Sequence, residues 1–220
     1  ETSAEIVEEA KNSRIVHTSA FALSRKPTRT TILDALQAAR STDKFISLDP
    51  NYHPYIWPDI SRFTEILKEA FQLVDITKPS LDDCERIFGF GKDPLEYAQN
   101  FIEWGARHVV LTMGSQGVLL YSPEEGEYLI QPSRTHVADV TGAGDAFWAG
   151  MLTFLMEEHP LIEAARAGQA LAEIKIGSFG PLSKIPDLDS IYQQAQQIPF
   201  TSIEDTFLKK RDLSKGGENL

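Results

Sequence analysis

The sequence has little cysteine, a shortage of basic residues and no long apolar run. One cysteine, Cys84, occurs in 220 residues, so no disulfide can form within the chain, and a reducing compartment such as the cytoplasm is expected. Lysine and arginine total 21 against 32 acidic residues, which gives a formal net charge of −11. This charge argues against nucleic acid or an anionic membrane as a main partner. No stretch approaches the roughly 20 apolar residues of a membrane-spanning helix.

Two further absences concern histidine and the amino terminus. The histidines show no spacing typical of zinc ligands, so we predict no protein-bound zinc; they lie at positions 17, 53, 108, 136 and 159. No signal-peptide pattern opens the chain, and its first residue is Glu1 rather than methionine. We therefore expect the chain to begin inside a longer protein.

Helical and strand patterns alternate along the chain. Apolar periodicity predicts a helix that ends at residue 11 and further helices at 30–40, 60–73, 81–88, 95–104, 143–157 and 161–176. Strands are predicted at 14–18, 44–48, 74–76, 108–111, 117–121 and 128–131. The alternation predicts an α/β fold, a doubly wound and mostly parallel sheet with helices on both faces. We predict one core over residues 1–198 and a polar tail over 199–220.

The most informative segment is residues 139–145, which lead directly into a predicted helix. Gly142, Ala143 and Gly144 form a turn almost without side chains, so the unpaired N–H groups of the helix start point outward with the positive end of the helix dipole behind them. Such a turn binds anions, above all phosphate. Asp145 would repel a phosphate unless it accepts the proton of an attacking hydroxyl. The segment indicates either phosphoryl transfer or an ordinary helix start with a favourable acidic residue.

Three strand ends carry further candidate residues, each with a structural alternative. Asp49, Asn51 and His53 follow one strand, where they form either a polar site or an Asx turn. Residues 78–83 follow the next strand, and they indicate either helix capping or an acidic group that holds hydrated Mg²⁺. Residues 112–117 form either a hairpin turn or a low ledge for a nucleotide. Because ligands of such folds bind at the carboxyl ends of the strands, we expect these turns to line one crevice.

In their order and spacing, these segments resemble the ribokinase-like carbohydrate kinases of the phosphofructokinase B type, over about residues 1–190. The family signature is D-T-x-G-A-G-D-x-F, and residues 139–147 follow it with Val140 in the usual threonine place. Residues 112–117 follow the nucleotide segment T-x-G-x-x-G. Residues 49–57 are similar to the D-P-N-x-R-x-x-L-W run of fructokinase-type and ketodeoxygluconate-kinase-type members.

The resemblance implies an ATP-dependent kinase that phosphorylates a primary hydroxyl of a small sugar, with Mg²⁺ as cofactor and potassium as a further candidate. Asp145 is then the catalytic base, the turn from Gly142 through Ala143 to Gly144 is the anion hole, and Asp139 helps to hold the monovalent cation. Nucleotide contacts are implied for Thr112, Gly114, Gly117 and Ser80. Asp49, Asn51 and His53 are implied to lie near the substrate or the transferred phosphate, and Asp83 is implied to hold Mg²⁺ through water.

The chain also departs from the family pattern. His53 stands in the usual place of arginine, so a titrating group replaces a permanent cation. Ser80 and Asp83 replace the asparagine and glutamate of the N-x-x-E motif. The first glycine-rich motif, most sugar contacts and the lid strands of the family have no counterpart in this chain.

Two other functions stay open. The chain is alternatively a catalytically impaired relative or a fragment that acts as a binding or structural module, and the isolated 220 residues are expected to be poorly active. A nucleoside kinase is a weaker alternative, because residues 49–57 favour a hexose or a keto sugar acid. The resemblance leaves a homodimer as a candidate assembly of the full-length enzyme.

Overall fold

The structure is a computed structural model, and it describes residues 2–133, 136–182 and 184–203. The chain divides into two compact units, Glu1–Met113 and Gly114–Leu220. Within the described residues, no helix has both the length and the apolar character needed to cross a membrane.

The first unit contains four strands that pair in parallel and in chain order. These strands are β1 (Ile15–Ser19), β2 (Phe45–Asp49), β3 (Ile76–Thr77) and β4 (His108–Thr112). The helices between and around them are α1 (Thr2–Asn12), α2 (Thr28–Arg40), α3 (Ile60–Phe71), α4 (Leu81–Phe88) and α5 (Pro94–Glu103). The predicted β–α alternation is therefore confirmed, and the carboxyl ends of the four strands meet at one edge of the sheet.

The start of β3 differs from its prediction, and a buried carboxylate lies directly before it. The strand was predicted over residues 74–76, but it begins at Ile76. Asp75 is 3% exposed, and its Oδ2 accepts the backbone N–H of Ile46 at 2.8 Å and lies 2.9 Å from the guanidinium of Arg40. Arg107 reaches its Oδ1 at 3.2 Å. A buried carboxylate needs such partners, and this set holds the residue that precedes β3 in place.

In its described residues, the second unit combines an antiparallel set of strands with α-helices. Its strands are β5 (Val118–Ser122), β6 (Gly126–Ile130) and β7 (Phe200–Ser202), and its helices are α6 (Ala143–Met156), α7 (Leu161–Ile176) and α8 (Leu188–Gln197). Strand β6 pairs with both β5 and β7. Helix α8 and strand β7 are additions to the prediction, and β7 lies inside the segment predicted as a polar tail. Residues 204–220 of that segment lie outside the described residues.

Helices α6 and α7 approach each other backbone to backbone. A Cβ atom added to Gly150 of α6 would lie 2.7 Å from the carbonyl oxygen of Ala167, and one added to Gly168 of α7 would lie 2.8 Å from that of Phe147. Both distances are shorter than van der Waals contact, so only glycine fits at either position. This contact sets the position of α6, whose first turn carries Asp145.

Candidate functional site

In the second unit, residues 139–145 form the predicted bare turn at the start of α6, called here the anion turn. Gly142 is the N-cap residue, with a φ of +78° and no side chain to cap the helix. The carbonyl of Gly142 accepts the N–H of Ala146 at 2.9 Å. Because nothing caps this end with a side chain, its amides and the positive end of the helix dipole are available to an anionic ligand.

One amide of the predicted anion hole is used inside the turn. The N–H of Ala143 donates to the carbonyl of Val140 at 3.1 Å. The N–H groups of Gly142, Gly144 and Asp145 make no hydrogen bond to a described residue. The structure therefore leaves the amides of Gly142 and Gly144 open, with that of Asp145 beside them.

Asp145 lies in the first turn of α6 and is exposed. Its carboxylate makes no ion pair or hydrogen bond with any residue in the described part of the chain. An exposed carboxylate at a helix start is favourable for the helix dipole. It is also free to accept a proton from a ligand hydroxyl, which is the chemistry that the sequence predicts for it.

Asp139 is held by a dense set of donors. Its Oδ1 accepts the N–H of Thr141 at 2.9 Å, and its Oδ2 accepts the N–H of Gly180 at 3.2 Å. The ammonium of Lys175 lies 3.7 Å from the same Oδ2 and donates to the backbone carbonyl of Asp139 at 3.2 Å. The hydrogen bonds from Thr141 lower the pKa of Asp139 to about 2, with further contributions from Gly180 and Lys175.

The residues around Asp139 do not fit an exchangeable monovalent cation. Each carboxylate oxygen already accepts a backbone N–H, and an ammonium stands beside Oδ2. A second cation would have to share that oxygen with the ammonium against like-charge repulsion. Lys175 carries no signal in the sequence, because it sits in the predicted last helix and is 36 residues from Asp139.

In the first unit, Asp83 joins the start of α4 to the loop after β2. Its Oδ1 accepts the N–H of Tyr52 at 2.9 Å. Its Oδ2 accepts from the hydroxyl of Ser80 at 2.6 Å and from the backbone N–H of Ser80 at 3.1 Å. Ser80 in turn caps α4 by accepting the N–H of Asp83. The capping alternative is therefore present at this junction, and Asp83 is only 8% exposed.

The loop after β2 also carries an ion pair that the sequence did not single out. The ammonium of Lys78, buried directly after β3, lies 3.7 Å from Oδ2 of Asp49. The Oδ1 atom of Asp49 accepts the N–H of Asn51 at 3.1 Å, which is the predicted Asx turn. His53 is exposed, and its ring stacks on Tyr55 with the centroids 5.4 Å apart.

Residues 112–117 divide between the two units, and their glycines have different roles. In the first unit, the N–H of Thr112 donates to the carbonyl of Pro79 at 3.0 Å. In the second unit, Gly114 has a φ of +56°, and a Cβ added there would meet open space. Gly117 has a φ of +93°, and a Cβ there would collide with the carbonyl oxygen of Ile130. Gly117 is thus required by the fold itself.

Apart from Gly114 and Gly117, the predicted residues gather into one cluster within each unit. The first unit brings together the turns that carry Asp49, Ser80 with Asp83, and Thr112. The second unit brings together Asp139 and the turn up to Asp145. Over residues 2–133, 136–182 and 184–203, no group of three or more His, Cys, Asp or Glu side chains could hold a metal ion directly.

Comparison with protein families gives a match over most of the chain. A family profile described as pfkB family carbohydrate kinase matches residues 1–188.

Three curated relatives share this region. The ATP-dependent 6-phosphofructokinase of Thermoanaerobacterium thermosaccharolyticum is 37% identical over 182 residues, which cover 82% of this chain and 56% of the relative. The fructokinase of Escherichia coli is 30% identical over 80% of this chain and 60% of its own length. The 5-dehydro-2-deoxygluconokinase of Geobacillus kaustophilus is 27% identical over 81% of this chain and 54% of its own length. The chain thus spans little more than half the length of these relatives.

Solved structures show the same fold. The aminoimidazole riboside kinase of Salmonella enterica, complexed with aminoimidazole riboside and an ATP analogue, matches with a TM-score of 0.74 at 24% identity, over 82% of this chain and 62% of that one. The fructokinase of Vibrio cholerae, in a form with bound fructose, ADP and calcium ion, matches with a TM-score of 0.73 at 22% identity. The match covers 82% of this chain and 60% of that one. The predicted ribokinase-like α/β fold is therefore confirmed.

Proposed function

The chain belongs to the pfkB family of carbohydrate kinases, and on this premise we propose that it carries the phosphoryl-transfer centre of an ATP-dependent sugar kinase. The acceptor is a primary hydroxyl of a small sugar, either a hexose such as fructose or a related keto sugar acid. The observation that supports this function best is the anion turn, in which open amides stand beside the unpaired carboxylate of Asp145.

In the proposed reaction Asp145 accepts the proton of the sugar hydroxyl while that oxygen bonds to the γ-phosphorus. The bond from the γ-phosphorus to the β–γ bridging oxygen breaks, and ADP leaves with that electron pair. The amides of Gly142 and Gly144 stabilise the charge on the transferring group, with the amide of Ala143 committed to Val140. The proposed reaction uses no monovalent cation at Asp139, because the residues there do not fit one.

Mg²⁺ would supply positive charge to the β- and γ-phosphates when ATP is bound. Asp83 is the proposed residue that holds it through water. Its Oδ1 accepts one hydrogen bond from the described residues, that of Tyr52, so a lone pair is left for a metal-bound water. In this role Asp83 binds the metal-bound water while it keeps the three hydrogen bonds that its carboxylate accepts from Tyr52 and Ser80.

The remaining residues receive roles from their place in the family motifs. Thr112, Gly114, Gly117 and Ser80 are the proposed nucleotide contacts, and Asp49, Asn51 and His53 are the proposed groups near the sugar or the transferred phosphate. For the residues of the first unit, the support is their position at the carboxyl ends of β2, β3 and β4, since ligands of such sheets bind there.

Asp145→Asn tests the proposal. The variant is expected to fold and to bind ATP as the wild type does, while kcat falls about 10²- to 10⁴-fold because the base is lost. Asp189→Asn is the matched control, since Asp189 is also an exposed residue in the first turn of a helix of the second unit.

Activity is followed in a coupled ADP-release assay with a panel of sugars. The assay is run on the 220-residue chain and on a chain extended by any coding sequence that precedes Glu1. Near wild-type turnover of Asp145→Asn would overturn the assignment.

The second candidate is a binding or structural module without turnover. It is favoured by the replacements at His53, Ser80 and Asp83 and by the limited share of each relative that the chain spans. The same assay separates the two functions. A module would bind ATP, measured by calorimetry, but would release no ADP with any sugar, even in the extended chain.

A further inference from the structure

Lys175 is a buried lysine to which the proposed reaction assigns no role. It lies in the last turn of α7 and is 5% exposed. Burial of an ammonium is costly unless oxygen atoms surround it. Its position therefore has to be explained by what it touches.

The oxygen atoms that Lys175 reaches belong to Asp139, the first residue of the anion turn. Its Nζ donates to the backbone carbonyl of Asp139 at 3.2 Å and lies 3.7 Å from Oδ2. Its Cε lies below Gly142, where an added Cβ would approach it to 3.7 Å. The side chain thus runs beneath the turn, and its charge lies next to the segment that presents the open amides.

The surrounding backbone is organised around the same point. The carbonyl of Ile176 accepts the N–H groups of Ala138 and Asp139 at 2.7 and 3.2 Å. The carboxylate of Asp139 binds Thr141 on one side and Gly180 on the other. Three chain segments therefore meet at Asp139, and the ammonium of Lys175 lies against the backbone carbonyl and the carboxylate of that residue.

We propose that the ammonium of Lys175 takes the place of the monovalent cation at Asp139, so that the anion turn carries its own fixed positive charge and needs no potassium. An ammonium and K⁺ carry the same charge. Both are stabilised by neighbouring carbonyl and carboxylate oxygens. The tethered group satisfies Asp139 and repels a second cation. It also adds a positive charge behind the amides that face the phosphoryl group. The kinetic part of this inference rests on the proposed kinase function, whereas the binding part does not.

The test compares the wild type with Lys175→Met, which removes the charge and keeps much of the chain length. Lys184→Met is the control, because Lys184 is an exposed lysine of the same unit. Melting temperatures are measured in KCl, NaCl and choline chloride, each at about 100 mM to keep ionic screening equal. The wild type and Lys184→Met are expected to melt at the same temperature in all three salts. Lys175→Met is expected to melt lower and to recover by at least about 3 °C in KCl, because a cation that binds only the folded state stabilises it.

Activity gives the second readout. The kcat/KM of the wild type is expected to be independent of potassium, whereas that of Lys175→Met falls at least about 10-fold in choline chloride and rises again with K⁺ or NH₄⁺. A wild type that is stabilised or activated specifically by K⁺ would overturn the inference, as would a Lys175→Met variant indifferent to K⁺ in both readouts. If Lys175→Met does not fold, Lys175→Gln takes its place. If neither variant folds, the salt response of the wild type alone decides the inference. If no variant turns over, the kinase proposal fails, while the melting data still decide the role of Lys175.

Discussion

Oδ1 of Asp83 accepts the backbone N–H of Tyr52 at 2.9 Å and so ties the first turn of α4 to the loop that follows β2. The other oxygen of the same carboxylate binds the backbone and the hydroxyl of Ser80. One buried side chain therefore completes the capping box of α4 and anchors the loop. The loop that it anchors carries Asp49, Asn51 and His53.

Asp83→Ala should destabilise the protein by about 1–3 kcal/mol, because the carboxylate half of the capping box is lost and the buried amide of Tyr52 is left without its side-chain acceptor. Asp82→Ala is the control from the same helical turn. The side chain of Asp82 is 75% exposed and pairs only with Arg86 at 3.4 Å among the described residues, so its loss should cost less than about 0.5 kcal/mol. Urea unfolding followed by circular dichroism measures both. Equal losses in the two variants would contradict the anchoring role.

Gly150→Ala and Gly168→Ala should each cost about 1–3 kcal/mol, since the added Cβ overlaps a carbonyl oxygen of the facing helix and forces the backbones apart. Gly177→Ala is the control, because its added Cβ would keep 3.5 Å from the nearest atom and its φ is −72°. Gly177→Ala should raise the free energy of unfolding by no more than about 1 kcal/mol. The free energy of unfolding in urea separates the three variants. A neutral Gly150→Ala would mean that α6 and α7 are not in backbone contact.

The lowered pKa of Asp139 makes stability depend on pH in a defined direction. Its pKa is about 2 in the folded protein against an ordinary value of 3.8, so the ionised form stabilises the fold. That contribution is complete above about pH 4 and is lost as the pH falls through about 2. The difference in unfolding free energy between wild type and Asp139→Asn should therefore be constant from about pH 7 to 5 and shrink below pH 4. A difference that grows on acidification would show that the pKa is raised rather than lowered.

Cys84 should be inert in the folded protein. Burial is the main cause that raises the pKa of its thiol, and the neighbouring carboxylates of Asp83 and Glu85 add to it. The thiolate that reacts with disulfide reagents is therefore scarce at neutral pH. A chromogenic disulfide reagent should label the native protein at least about 10³-fold more slowly than the protein in guanidinium, where one thiol per chain should react. Rapid labelling of the native protein would place Cys84 at the surface.

Local patterns predicted most of the regular elements. Helix α3 was predicted at residues 60–73 and is found at Ile60–Phe71, with Asp59 as its N-cap. Capping residues and apolar spacing carry this information within a few positions. Strand β3 begins at Ile76 and not at residue 74. Directly before it, Asp75 contacts Arg40 and Arg107, which are distant in sequence, so a local pattern does not reveal these contacts.

The site was predictable as far as it follows from motifs. The turn from Gly142 to Asp145 opens α6 as expected, since glycine readily adopts the positive φ found at Gly142 and an apolar periodic segment follows it. The hydrogen bond of Ala143 to Val140 could not be foreseen, because it depends on the exact dihedral angles of the turn. Lys175 was missed for a different reason. A lysine near a helix end is usually solvated, and only the packing of α7 shows that it is buried.

The glycine contact between α6 and α7 acts as the pivot of a lever. Gly142 precedes Gly150 by eight positions, which is a lever arm of about 12 Å along a helix. A tilt of about 5° at the pivot would therefore move the anion turn sideways by about 1 Å, a displacement that can cost about 100-fold in the rate of a positioned reaction. The absence of a Cβ atom at Gly150 and at Gly168 thus controls the alignment of residues more than two helical turns away.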